Sequence, residues 1–98
     1  FGNYLTEAKK VGILNEAKSI VTAYESIRHK SGFDTDSIGS DFEGDNLPLE
    51  AGTLTKLSSA TVEQCKLIID TESNNFTFND DGTSIIINDD VSNSITLD

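Results

Sequence analysis

Apolar residues recur at helical spacing through the first thirty residues of the chain, which contain no proline. Steps of three and four residues place such positions on one face of an α-helix. Asn3 is a suitable N-cap and Gly32 a suitable stop, so the pattern predicts one continuous helix over residues 4–30. The basic residues at 28–30 would then occupy its last turn, where positive charge interacts favourably with the helix dipole. The predicted apolar stripe comprises Ile13, Leu14, Ala17, Ile20, Val21, Tyr24 and Ile27.

The predicted helix is longer than the body that it can pack against. Twenty-seven helical residues span about 40 Å, whereas a compact domain of this size has a diameter of about 32 Å. Its amino-terminal end should therefore extend beyond the core and expose apolar side chains to a partner or a membrane. The alternative is a frayed terminus with scattered exposed apolar residues. The predicted interface residues are Phe1, Tyr4, Leu5, Ala8 and Val11.

The helical periodicity ends after Gly32, and residues 32–58 contain the single proline of the chain, Pro48. This segment predicts a long irregular loop that wraps the helix. Loops of this length within one domain are often functional. Its apolar anchors are predicted to be Phe33, Ile38, Phe42, Leu47 and Leu49.

A second, shorter element is predicted within residues 59–72. Thr61 followed three residues later by Gln64 matches a capping box, which favours a helix over residues 61–71. The alternative is a strand at residues 66–70, because that run is short and rich in β-branched side chains.

The last quarter of the chain carries the β signal. Phe76 and Phe78 alternate with polar residues, Asp81-Gly82 is a strong hairpin turn, and Ile85 and Ile87 alternate after it. A hairpin with this tip pairs the two phenylalanines with the two isoleucines on one face. A further loop at residues 90–92 would place Ile95 opposite Ile87 and Leu97 opposite Ile85.

These elements predict an α+β fold in which a long amino-terminal helix packs on a carboxy-terminal antiparallel meander of three to four strands. The apolar face of the meander needs a cover, and the helix carries the one long apolar stripe. We therefore expect Leu14, Ala17 and Val21, with Tyr24, to cover the sheet. The 98 residues form a single domain comprising a helical stem (1–31), a wrapping loop (32–58), a short helix or strand (59–72) and an antiparallel sheet (74–98).

Charge separates the stem from the rest of the chain, whose formal net charge is −10. The first thirty residues carry five basic and three acidic side chains, whereas the remaining 68 carry two basic and fourteen acidic ones. An acidic body would repel phosphates, so we expect no nucleic-acid binding by it. The single cysteine, Cys65, excludes an intrachain disulfide, and we interpret it as a small buried apolar residue. No catalytic motif accompanies it or His29, so we expect no enzyme.

Residues 34–45 approach the pattern of a calcium loop. The fifth position is apolar, the twelfth is Asp rather than Glu, and Pro48 interrupts any following helix. A solvated acidic loop is the favoured interpretation, with calcium as the alternative cofactor. The candidate ligands are Asp34, Asp36 and Asp41.

The first thirty residues resemble the amino-terminal helix of type IV pilins and pseudopilins, and the predicted architecture resembles theirs as well. Residues 1–9, FGNYLTEAK, are similar to the point where the pilin helix leaves its membrane-spanning half. Residues 15–18, NEAK, and residues 20–25, IVTAYE, are similar to its continuation. The carboxy-terminal disulfide loop that many members carry cannot form with one cysteine.

The resemblance implies the soluble domain of a filament subunit that lacks the transmembrane half of its helix. Its partners would be further copies of itself and related pilins. The subunit would be membrane-anchored before assembly and then reside in an extracellular, cell-surface filament serving adhesion, twitching motility, DNA uptake or secretion. The alternative function is a small extracellular module that binds calcium or a protein partner.

Overall fold

A computed structural model describes residues 2–70 and 76–98 of the chain, with side chains from Ala8 onwards in the first helix. The architecture is α+β: a long helix, a short helix and a three-stranded antiparallel sheet of order β1-β2-β3. The elements are α1 (Gly2–Ile27), a one-turn 3-10 helix (Gly39–Phe42), α2 (Val62–Ile69), β1 (Phe76–Phe78), β2 (Ser84–Ile87) and β3 (Asp90–Thr96). The molecule measures 43 × 24 × 22 Å, and the 26 residues of α1, at about 39 Å, nearly match its long dimension.

The ends of α1 differ from the prediction. Asn3 lies within the helix rather than at its N-cap, and α1 ends at Ile27 instead of residue 30. Arg28, His29 and Lys30 therefore follow the helix in a turn, in which the Lys30 amide donates to the Ile27 carbonyl at 2.9 Å. Gly32, with φ at +97°, then redirects the chain.

The buried face of α1 is also rotated from the predicted one. Leu14, Val21 and Tyr24 are half-buried, so they flank the core rather than fill it. The buried residues at 13, 20 and 23 each directly precede a residue that was predicted to cover the sheet. Because adjacent positions on a helix lie about 100° apart, the buried face is turned away from the predicted one. The fully buried residues of α1 are Ile13, Ala17, Ile20, Ala23 and Ile27.

The wrapping loop is anchored in the core at four of the five predicted positions, all except Ile38, and is partly ordered into secondary structure. The fully buried Phe42 belongs to the 3-10 helix and packs edge-on to Tyr24, with ring centroids 6.4 Å apart. The Phe33 ring also packs on Phe42, with ring centroids 5.5 Å apart. Leu47 and Leu49 also lie against the core, while Ile38 forms a β-bridge with Thr61.

The capping box correctly predicts α2. The Gln64 amide donates to Thr61 Oγ1 at 3.1 Å, and the Thr61 amide donates to Gln64 Oε1 at 3.0 Å. Val62, Cys65 and Ile68 are buried along one face, which is the face of a helix and not of a strand. The end of the predicted range, residue 71, lies outside the described residues.

The sheet confirms one predicted register and contradicts the other. Phe76 pairs with Ile87 and Phe78 with Ile85, as expected. Both predicted pairs with β3 are wrong, because Ile85 lies opposite Ile95 instead of Leu97, and Ile87 lies opposite Asp90 instead of Ile95. There are two reasons. A tight turn at residues 88–89, where Asn88 and Asp89 both adopt positive φ, replaces the predicted loop at residues 90–92, and a bulge in β3 then shifts the pairing so that Ile95 lies opposite Ile85.

A bulge of three residues in β3 follows that turn. Ile86 pairs with Ser94 while its neighbour Ile87 pairs with Asp90, so three residues of β3 have no opposite number on β2. Asp90 Oδ1 accepts from the Ser92 amide at 3.0 Å and from Ser92 Oγ at 2.6 Å, which holds this bulge in place.

The sequence predicted that α1 alone covers the sheet, but in the structure α1 shares this role with α2. In the second half of α1, Tyr24 contacts Phe42 of the 3-10 helix and Lys66 of α2. The sheet meets the first half of α1, where Lys10 Nζ lies 5.5 Å from the centre of the Phe76 ring. Contacts between α2 and β2 complete the cover. One continuous core therefore joins α1, the wrapping loop, α2 and the sheet.

Candidate subunit interface

The predicted interface lies on the first half of α1. Val11 is 55% exposed and Ala8 is exposed, one helical turn before it. Tyr4 and Leu5 lie on helical backbone, and their side chains are outside the described part of the structure, as is Phe1 altogether. Ala8 and Val11 are three residues apart on the helix, so these two described side chains form a short apolar strip away from the core.

The core begins on α1 beside this strip. Lys10 is only 8% exposed, because its side chain packs over the Phe76 ring, and Ile13 is buried one turn later. Residues 10 and 13 therefore face the sheet, whereas residues 8 and 11 face outwards. Lys10 has an apolar stem and a charged end, so it can be buried against an aromatic ring. The pattern of apolar residues did not predict this contact.

The carboxylate of Glu16 is the strongest polar link between α1 and the loop. Its Oε1 accepts from the amides of Lys56 and Leu57 at 2.9 and 3.0 Å. Its Oε2 accepts from the Thr55 amide at 3.2 Å and from Thr55 Oγ1 at 2.8 Å. Sequence reasoning missed this contact, although an acidic residue between Ile13 and Ala17 was a signal that could have found it.

A second group of acidic side chains secures the same loop. Asp98 Oδ1 accepts from Ser58 Oγ at 2.8 Å, and its backbone amide donates to the Lys56 carbonyl at 3.0 Å. Glu43 Oε2 accepts from the Leu54 amide at 3.0 Å. Part of the acidic charge thus satisfies loop amides rather than merely coating the surface.

A cavity of about 250 Å³ lies between the first half of α1, the loop and the hairpin. Its walls combine apolar side chains with two lysines, Lys9 and Lys56. Among the described side chains, neither lysine forms an ion pair. The residues around it are Lys9, Gly12, Ile13, Glu16, Thr55, Lys56, Phe78, Gly82 and Leu97.

The calcium candidates lie in the wrapping loop, where two of them make local hydrogen bonds. Asp34 Oδ1 accepts from the Asp36 amide at 2.9 Å, and Asp41 Oδ2 accepts from the Ile38 amide at 3.0 Å. Within residues 2–70 and 76–98, no three His, Cys, Asp or Glu side chains are grouped so as to hold a metal ion. Calcium binding therefore stays a prediction that needs a titration.

Cys65 is completely buried, as predicted. Burial, with a smaller contribution from the nearby Glu16 charge, raises the pKa of its thiol to about 12. A thiol in this state is unreactive at neutral pH, because the thiolate is the nucleophile. His29 lies exposed in the turn after α1.

Asp81 in the first hairpin turn and Asp90 directly after the second one accept hydrogen bonds from nearby residues. Hydrogen bonds from Thr83 lower the pKa of Asp81, and hydrogen bonds from Ser92 lower that of Asp90. Next to Asp90, Val91 is 79% exposed at the start of β3. Val91 and Val11 are the large exposed hydrophobic side chains of the described structure.

No described helix is both long and apolar enough to span a membrane. Comparison of the chain with protein-family models, with curated proteins and with solved structures gave no match.

Proposed function

We propose that this chain is the structural subunit of a type IV pilus or a related pseudopilus, and that it polymerises through α1. The observation that carries the proposal is the two-sided helix. One face of α1 is buried in the subunit's own core, whereas Ala8 and Val11 expose a separate apolar strip near its beginning. An apolar strip on the outside of a helix is a surface for packing against another helix.

The α+β layout and the charge distribution support the same assembly. A long helix followed by an antiparallel meander is the arrangement that the pilin resemblance implies. A mildly basic stem and a strongly acidic body favour contacts between the stem of one copy and the body of the next. In this proposal the partners are further copies and related pilins, the membrane holds each subunit before assembly, and the filament is extracellular.

Photocross-linking at position 11 tests the proposal. The full-length gene product would carry benzoylphenylalanine in place of Val11 in the cells that make it, and filaments sheared from those cells would be irradiated. We expect covalent adducts with another copy or a related pilin, because residue 11 would face a neighbouring helix. Position 77 is the matched control, since Thr77 is exposed on β1, away from the strip.

Two results would contradict the proposal. One is a sheared surface fraction that never contains the protein. The other is a filament whose adducts form at position 77 while position 11 gives none, since polymerisation would then not use the outward strip of α1.

A further inference from the structure

The turn between β1 and β2 contains the single Asp-Gly pair of the chain, Asp81-Gly82, and the sequence has no Asn-Gly pair. The backbone nitrogen that follows an aspartate can attack the side-chain carboxyl carbon and expel water. Glycine favours this attack, because it has no Cβ atom to hinder the approach. Asp81 is exposed, and nothing lies within 4 Å of a Cβ position built on Gly82. The pair is therefore sterically open to this reaction.

The Asp81 carboxylate is held by the residue that follows the pair. Asp81 Oδ1 accepts from Thr83 Oγ1 at 2.6 Å and from the Thr83 amide at 3.1 Å. Both hydrogen bonds favour the ionised carboxylate and lower the pKa of Asp81. A carboxylate reacts far more slowly with a nucleophile than the protonated acid does, because its negative charge opposes the attack. Thr83 therefore keeps Asp81 in its less reactive form.

The Gly82 nitrogen, which is the attacking atom, is engaged as well. Its amide donates to the Asn79 carbonyl at 3.1 Å, and this hydrogen bond opposes the loss of the amide proton that the attack requires. Asn79 is itself fixed, since its Oδ1 accepts from the Ser84 amide at 3.1 Å and its Nδ2 donates to Thr83 Oγ1 at 3.2 Å. The fold thus holds both reacting groups with partners other than each other.

The start of β3 repeats these contacts with a different residue in the middle. Asp90 Oδ1 accepts from Ser92 Oγ at 2.6 Å and from the Ser92 amide at 3.0 Å, again two residues further on. The residue between them is Val91, whose β-branched side chain hinders attack by its own nitrogen. The two sites share one hydrogen-bond pattern, but only the one in the first hairpin is open to the reaction.

We infer that Asp81 is the site at which this chain isomerises to isoaspartate, and that the Thr83 hydroxyl restrains the reaction in the folded protein. The Gly82 nitrogen loses its proton and bonds to Asp81 Cγ, and one carboxyl oxygen leaves as water, which closes a five-membered succinimide. Water then adds to the ring and breaks the bond between the nitrogen and the Asp81 backbone carbonyl carbon. One water is lost and one is gained, so the mass is unchanged and no other reactant is needed.

The isomerised turn differs from the original one in its backbone. The chain then runs through Cβ and Cγ of residue 81, which makes the backbone one atom longer, and the former side-chain carboxyl can no longer accept from Thr83. This turn sets the register that pairs Phe78 with Ile85, and Gly82 lines the cavity between α1, the loop and the hairpin. Isomerisation therefore loosens the first hairpin and alters one wall of the cavity.

The test follows isoaspartate in the purified chain during several weeks at neutral pH, both folded and unfolded in urea. Transfer of a labelled methyl group by a protein isoaspartate methyltransferase counts the modified residues, and electron-transfer fragmentation of the proteolytic peptides identifies their positions. We expect isoaspartate to accumulate first at Asp81. The rate in urea should exceed the rate in the folded chain by roughly tenfold or more, because unfolding releases the carboxylate and the amide together.

Substitution of Thr83 tests the restraint in the folded chain. Thr83→Val keeps the β-branched shape but removes the hydroxyl, and it should accelerate isomerisation at Asp81 by roughly three- to tenfold. Thr83→Ser keeps the hydroxyl and should isomerise at the wild-type rate. Titration of the carboxyl by NMR should show a higher pKa of Asp81 in the valine variant than in the serine variant. Thr83 is exposed, and circular dichroism checks that each variant is folded.

Ser92→Ala is the matched control, because it removes the equivalent hydroxyl beside Asp90. Val91 should keep Asp90 free of isoaspartate in this variant. The inference is overturned if another aspartate isomerises before Asp81, if the folded and unfolded chains react at the same rate, or if Thr83→Val reacts no faster than the wild type. The inference goes beyond the proposed function and does not depend on it, since cross-linking at position 11 and isomerisation at position 81 are measured separately.

Discussion

Glu16 joins α1 to a segment of the chain that lies about forty residues further on. Its two carboxylate oxygens accept four hydrogen bonds, three of them from the consecutive backbone amides of residues 55–57. Loop amides near a core need such partners, and bonds to an ionised acceptor are stronger than neutral ones. The same charge disfavours ionisation of the buried Cys65. Glu16 thus stabilises the loop through direct contacts and affects the core electrostatically.

Replacing Glu16 by Gln should reduce the free energy of unfolding by about 1–3 kcal/mol. The amide side chain keeps one acceptor oxygen but presents an NH2 group to backbone donors, so about half of the hydrogen bonds are lost. Urea denaturation measures the change. Glu25→Gln is the control, because Glu25 makes an exposed ion pair with Arg28 at 3.5 Å and should cost less than about 1 kcal/mol. Equal effects of the two substitutions would contradict the role given to Glu16.

Gly39 is required because a later part of the loop, and α1 beside it, approach its backbone closely. A Cβ atom there would lie 2.7 Å from the Leu57 carbonyl oxygen, 2.8 Å from Leu54 Cδ1 and 3.0 Å from Ile20 Cδ1. Gly39→Ala should therefore destabilise the fold by roughly 1–3 kcal/mol through overpacking. Gly12→Ala is the opposite case, since nothing lies within 4 Å of its Cβ position, and it should stabilise α1 by roughly 0.5–1 kcal/mol. Thermal unfolding of the two variants distinguishes them by sign.

The raised pKa of Cys65 makes a pH-dependent prediction. Between the ordinary value of 9.0 and about 12, the unfolded chain loses the thiol proton while the folded chain keeps it. Folding stability should therefore be unaffected by this group below pH 9 and should fall above it, by about 1.4 kcal/mol per pH unit. Urea unfolding at pH 8, 9 and 10 should show this slope in the wild type and not in Cys65→Ala, which has no proton to lose there. Parallel profiles would contradict it.

At the scale of single elements, α2 depends on its N-cap, Thr61, the residue directly before the helix. Thr61 and Gln64 satisfy each other's backbone amides, which a helix of eight residues cannot do internally. Thr61→Ala should cost about 1 kcal/mol of stability, whereas Thr61→Ser keeps the acceptor oxygen and should cost much less. Hydrogen exchange of the Gln64 and Cys65 amides, which donate to Thr61 Oγ1 and to the Thr61 carbonyl, measures the effect locally. Faster exchange in the serine variant as well would mean that the hydroxyl is not the cause.

The helix α1 shows why an element can be predicted while its orientation is not. Apolar residues stand in adjacent pairs, Ile13 with Leu14 and Ile20 with Val21, so two neighbouring stripes are equally apolar along the sequence. Packing against α2 and the 3-10 helix selects the stripe with Ile13 and Ile20. Lys10 joins that face because its stem covers Phe76.

At the scale of the whole molecule, the net charge of −10 is unevenly spread and partly engaged. Glu16, Glu43 and Asp98 hold loop amides, and Asp81 and Asp90 hold turns. The aspartates considered for calcium belong to the same pattern, since Asp34 and Asp41 each accept a backbone amide. Screening of the remaining repulsion by salt should stabilise the fold nonspecifically.

Calcium should therefore act on this protein no differently from a simple electrolyte. Calorimetric titration at fixed ionic strength is expected to give no saturable isotherm in the micromolar range, because Asp34 and Asp41 are already engaged in local hydrogen bonds. Magnesium at the same ionic strength is the control for screening. A micromolar isotherm that Asp34→Ala abolishes would reverse this expectation and would favour the alternative function, a small calcium-binding module.

The sequence by itself determined those features that short-range interactions specify. Alternating Phe76 and Phe78, a turn signal and alternating Ile85 and Ile87 leave one register for β1 and β2 that places all four side chains on one face. The capping box determined α2 in the same way, and the 3.6-residue period determined α1 as an element. Each of these signals lies within about a dozen residues of the chain.

Only the tertiary structure decided what depends on residues distant in sequence or on the backbone conformation of a turn. The rotation of α1 was settled by the elements that pack on it, and the pairing of β3 by the positive φ values of Asn88 and Asp89 together with the bulge after them. The Glu16 contact and the cavity between α1, the loop and the hairpin exist because the fold brings α1, residues 55–57 and the hairpin to one place. The periodicity of the sequence shows which face of an element is apolar, but it does not show which other element packs on that face.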